Sequence, residues 1–117
     1  MDIKQMMKID ELVSEKVLEC KVEYVGKDGV YVVGEEKTGV FSPSRNIQDA
    51  WLLVDKLLIS IFPQAGDPPK EYKYFVECDP KIYDVDSSIC EAFGETASLA
   101  ICKVALKAVG IEIDDLK

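Results

Sequence analysis

Histidine is absent from this 117-residue chain. Its absence removes the Ser-His-Asp and Cys-His nucleophile pairs and the commonest transition-metal ligand. Hydrolytic chemistry would have to run on carboxylates alone. Positive charge is scarce as well, with 14 basic against 22 acidic residues and a net charge of −8. That sign opposes general nucleic-acid binding, which needs Lys and Arg to neutralise phosphates, and it opposes anionic membrane surfaces. Long apolar runs are missing too. Stretches such as Ala50-Trp-Leu-Leu-Val54 fall far short of the ~20 residues that span a bilayer. No early basic segment leads into an apolar one, so no export signal is expected and the chain reads as cytoplasmic.

What is present suits a single domain over residues 1–117, with 48% hydrophobic residues to form a core. The most informative stretch is Thr96-Ala-Ser-Leu-Ala-Ile-Cys-Lys-Val-Ala-Leu-Lys-Ala-Val-Gly110. Between Leu99 and Gly110 only Lys103 and Lys107 are polar, and their spacing of four puts them on one narrow face. A helix apolar around most of its girth is covered on more than one side, so this one is the architectural centre. Thr96 is its expected cap and Gly110 its C′ residue.

A first helix is expected from about Ile9 to Leu18, with Ile9, Leu12, Val13 and Val17 inside and Asp10, Glu11, Ser14 and Glu15 outside; residues 1–8 read as irregular. The alternation from Cys20 to Val25, the Asp28-Gly29 turn signal and the return over Val30 to Val33 predict a hairpin. Val40 and Phe41 add a short strand. Asn46 is a good N-cap, with Asp49 at N3, for a second helix ending near Leu58. Its expected stripe is Ile47, Ala50, Trp51, Val54, Leu57 and Leu58. The breaker cluster from Pro63 to Lys70 is a surface loop. A strand is expected over Tyr72 to Cys78, a turn at Asp79-Pro80, and weaker strands over Ile82 to Val85 and Ile89 to Phe93. The tail from Ile111 packs once and frays. The resulting order is α-β-β-α-β-β-α, an α+β fold whose mainly antiparallel sheet has helices packed on it.

Three blocks carry a family likeness: Asn46-Ile-Gln-Asp-Ala-Trp-Leu-Leu-Val-Asp-Lys-Leu57, Glu95-Thr-Ala-Ser-Leu-Ala-Ile-Cys-Lys-Val-Ala-Leu-Lys-Ala-Val-Gly110, and Ile9-Asp-Glu-Leu-Val-Ser-Glu-Lys-Val17. In this order they resemble the phage ABA sandwich domain, a family of small phage and prophage proteins, chiefly of Bacillus-type hosts. The chain departs from the family pattern at Cys20, where an aromatic usually follows the first helix, and at Ser98, where a proline usually stands. The resemblance implies an α/β/α layered sandwich in a bacterial host cell. It implies no activity and no catalytic residues.

Candidate sites are few. Cys102 lies on the apolar face of the last helix and reads as a buried structural thiol. Cys20, Cys78, Cys90 and Cys102 are expected to be reduced, since neither export nor a weak core calls for disulfides. Cys78 and Cys90 lack the close Cys-x-x-Cys pairing of a zinc site. Asp84, Asp86, Ser88 and Glu95 match part of a calcium loop, but Ile89 stands where that loop needs glycine. Trp51 reads as core. The tyrosines have no basic groove beside them, so base stacking is not supported. The loop Ser42-Pro-Ser-Arg-Asn46 enters a helix N-terminus, where free N–H groups, the Ser42 and Ser44 hydroxyls, Arg45 and Asn46 suit a phosphate or carboxylate.

The expected function is that of a non-enzymatic phage or prophage accessory protein. It acts by binding a host protein or a small anionic ligand, without metal or cofactor, and without nucleic acid or membrane as partner. The alternatives are an acidic nucleic-acid mimic that inhibits a host DNA-binding enzyme, resting on the charge of −8, and a small carboxylate-based enzyme, which needs two facing acids in a pocket.

Overall fold

The polar opening of the chain starts a helix instead of fraying. In the computed structural model, which describes residues 2–78 and 90–111, helix α1 spans Ile3–Leu12. Asp2 and Gln5 build a capping box at its start: the Gln5 N–H donates to the Asp2 side chain at 2.9 Å and the Asp2 N–H to the Gln5 side chain at 3.2 Å. The expected start at Ile9 is therefore corrected to Ile3. The helix widens into a π-helical turn, Val13–Val17, and ends at Glu19 in the left-handed region (φ 55°). Ile9, Asp10, Val13, Ser14 and Val17 are buried. Asp10 and Ser14 thus lie inside, contrary to the sequence reading, and the Ser14 hydroxyl donates to the Asp10 carbonyl at 2.7 Å.

The first sheet is a meander of β1 (Lys21–Gly26), β2 (Gly29–Val33) and β3 (Gly39–Phe41), all antiparallel. Val30, Val32 and Phe41 point into the core, while Tyr24 and Tyr31 stack with ring centroids 5.6 Å apart. The hairpin falls where Asp28-Gly29 placed it.

Helix α2 spans Ile47–Leu57, with Asn46 accepting from the Gln48 and Asp49 amides. It buries Ala50, Leu53 and Leu57. Ile47, Trp51 and Leu58 are exposed, so the expected stripe is turned. Two apolar rows run along this helix, 47-51-54-58 and 50-53-57, and helical spacing fits both. The row that starts with the small Ala50 is the one that faces the core.

The second sheet has the order β4 (Ser60–Pro63), β5 (Tyr74–Cys78), β6 (Cys90–Gly94), again antiparallel. β4 was not read in the sequence. The α+β class and antiparallel pairing stand as expected, but the strands divide into two sheets of three, with one more strand in each half than the expected order held. A 3-10 turn, Lys70–Tyr72, closes the proline-rich loop. The expected turn at Asp79-Pro80, the strand from Ile82 to Val85 and the tail beyond Ile111 lie outside the described residues.

Helix α3, Ala97–Ala108, is buried on nearly every side. It packs against β5 and β6 on one flank and against α2 and the π-helical turn on another. The Thr96 hydroxyl accepts from the Leu99 amide at 3.1 Å. At its end the Ile111 N–H reaches the Leu106 carbonyl (2.9 Å) and the Gly110 N–H the Lys107 carbonyl (3.0 Å), with Gly110 at φ 86°; this is a Schellman motif. The sheet comes very close to α3 at Gly94, where a Cβ would stand 2.7 Å from the Ala100 nitrogen. Buried side chains from the three helices and both sheets form one cluster.

Candidate functional site

The 42–46 loop brings its four expected residues together, and it fills its own anion site. The Ser44 N–H donates to Asp10 Oδ1 at 2.8 Å and the Ser42 N–H to Asp49 Oδ2 at 2.9 Å. The Arg45 and Asn46 N–H groups both donate to the Ser42 carbonyl, at 3.1 and 2.9 Å. The Asn46 side chain takes the next two amides of α2. Arg45 Nη2 lies 3.6 Å from Asp10 Oδ2, and Nη1 donates to the Lys27 carbonyl. Lys37 Nζ stands 3.9 Å from Asp49. Ser42 and Ser44 are buried and Asn46 is exposed. The carboxylates that favour a helix N-terminus are here the chain's own, Asp10 and Asp49 holding the Ser44 and Ser42 amides.

Asp10 is the residue sequence reasoning missed. Its exposure is 0%, and burial pushes its carboxyl up to about 6, against the pull of the Ser44 hydrogen bonds and the Arg45 charge. Asp10 Oδ2 and Arg45 Nε and Nη2 are buried without a hydrogen-bond partner. The signal was legible in outline: positions 10, 13, 14 and 17 form one helical row, and all four are buried. The polar character of Asp10 and Ser14 masked it.

Cys102 is buried, and desolvation raises its thiol well above the ordinary value. Cys20 is raised by burial first and by Glu36 second. Cys78 and Cys90 are register partners across β5 and β6. Among the described residues no cluster of acids and cysteines has the arrangement of a metal site. Of the partial calcium pattern, Asp84, Asp86 and Ser88 lie outside the described residues, while Glu95 stands 3.5 Å from Lys70.

Among the described residues the largest aromatic feature is on the outer face of the second sheet. Register pairs Phe62 with Phe75 and Phe75 with Phe93, so the three form one cross-strand row. Ring centroids are 5.8 and 5.1 Å apart along it, and Tyr72 meets Phe93 edge-on at 5.1 Å. The alternate residues Ile61, Val76 and Ala92 face inward and join the core. The row remains open, with Phe62 44% and Phe93 39% exposed. Phe62 was out of reach of the sequence reading because β4 was. A second exposed apolar spot, Ile47 and Trp51 with Gln48, lines a shallow depression on α2.

The phage ABA sandwich domain model matches residues 11–106. A crystal structure of a phage protein from Bacillus cereus superposes with a TM-score of 0.65 at 31% identity, covering 91% of this chain and 88% of that one. No curated protein matches the chain significantly.

Proposed function

Since the chain belongs to the phage ABA sandwich domain family, we propose that it is a non-enzymatic phage protein that acts inside the bacterial host by docking a protein partner on the outer face of its second sheet. The observation that carries this reading is the open row of Phe62, Phe75 and Phe93. Rings fixed by strand register are a rigid apolar anchor, and aromatic side chains dominate interface energetics when a partner removes them from water.

Three further features favour protein binding over the other readings. A small anion at the 42–46 loop competes with Asp49 and Asp10 for the Ser42 and Ser44 amides. Acid catalysis at Asp10 has no route for substrate, since that carboxyl has no exposure. Mimicry of nucleic acid needs a free row of carboxylates, whereas Glu11, Glu23, Glu36 and Glu95 each lie within 4.0 Å of a lysine ammonium. No helix among the described residues is long and apolar enough to cross a membrane.

The test is a photo-crosslinking amino acid placed at position 62 or 93 in host cells, with position 35 on the first half of the chain as control. Adducts to a different protein are expected at 62 and 93 and absent at 35, and Phe75→Ser should remove them. Adducts of twice the chain mass would instead make this face a self-association surface. Equal adducts at all three positions would sink the reading.

A further inference from the structure

The docking face is not apolar throughout. Two residues along from Phe75 and Phe93, on the same face, stand Glu77 and Glu91, and the register sets them directly opposite each other. Like charges in directly opposed cross-strand positions are destabilising. Some surface acids have a lysine beside them, as in the pairs Lys8 with Glu11, Lys21 with Glu23 and Lys56 with Glu36. No such ion pair reaches the Glu77 or Glu91 carboxylate among the described residues. The Lys107 ammonium donates instead to the Glu91 backbone carbonyl, at 3.1 Å.

Resting on the docking reading above, we infer that the partner of this face is a basic amphipathic protein segment, with apolar side chains that cover the phenylalanine row and Lys or Arg that settle between Glu77 and Glu91. A cation placed there relieves the repulsion of the two carboxylates and sits beside the faces of Phe75 and Phe93, where the ring quadrupoles add attraction. The net charge of −8 steers such a partner in and turns acidic ones away. The pair therefore works as a selectivity element next to an anchor that by itself accepts any apolar surface.

The test uses two synthetic amphipathic peptides of one pattern, leucine with lysine and leucine with glutamate, titrated into the isotope-labelled full chain. The Leu/Lys peptide is expected to move the amides of Phe62, Phe75, Glu77, Glu91 and Phe93. Glu77→Gln with Glu91→Gln should weaken it about tenfold (~1.4 kcal/mol), while the same charge removed at the exposed Glu15 and Glu35 should not. The Gln pair should also raise the urea midpoint at low salt, because the repulsion is gone, and this verifies that the fold is kept. If both peptides bind this face equally and the Gln pair has no effect, the charge inference falls and the docking reading stands. If the Leu/Lys peptide moves other residues, the inference falls. If neither peptide moves the face, the docking reading falls with it.

Discussion

Burial holds the Asp10 carboxyl at about 6, against 3.8 in an exposed chain, so folding favours the protonated form. The folded state binds this proton more tightly than the unfolded one. The resulting stability is present in full below about 3.8 and is lost as pH rises through about 6. At ~1.4 kcal/mol per unit, the loss at neutral pH is of order 3 kcal/mol. Asn at this position keeps an acceptor for the Ser44 amide and does not titrate. Urea unfolding between about pH 4.5 and 7 should show the parent losing stability relative to Asp10→Asn as pH rises; parallel curves would contradict the burial argument. The same residue marks the limit of reading side chains one at a time. Hydropathy put Asp10 in water, while its helical phase put it among Val13, Ser14 and Val17, and the phase prevailed because the Ser44 amide and Arg45 were there to meet it.

Among the elements, α3 was the most legible, while α2 was foreseen in extent and misread in its buried face. α3 is apolar all round, so no choice of face had to be made, and both its ends carry the capping residues the sequence announced. Leu106 is fully buried in its last turn, and Leu106→Ala should cost ~2–5 kcal/mol. A urea midpoint equal to the parent's would remove α3 from the centre of the fold. α2 offers two apolar rows, and local spacing has no means of choosing between them; the choice is made by α3, which is distant in sequence. β4 escaped for a related reason. Its four residues, Ser60–Pro63, follow the helix after a short connection and run into a proline-rich loop, and only their pairing with β5 makes them a strand. The phenylalanine row inherited that blindness, since a cross-strand row exists only once the register does.

For the whole molecule, composition spoke clearly on charge and remained silent on where charge matters. The balance of −8 predicts that the protein gives no salt-sensitive complex with duplex DNA in a low-salt gel shift; such a complex would reveal a basic surface the sequence does not suggest. The placement of Glu77 and Glu91, set facing each other across β5 and β6, becomes visible only in the folded sheet. The α3-centred layering was foreseen from one helix, while the division of the strands into two sheets depended on pairings spread along the chain.

The outward turn of α2 has an optical consequence. Trp51, the chain's one tryptophan, is 50% exposed when folded. Its indole already emits from a largely aqueous setting, so unfolding changes the colour of its fluorescence little, and loss of structure is followed better through backbone dichroism. The same placement makes the ring a built-in dye for the α2 surface. Whatever covers Ile47 and Trp51 shifts the emission to the blue, whereas a ligand seated on the phenylalanine row leaves it unchanged.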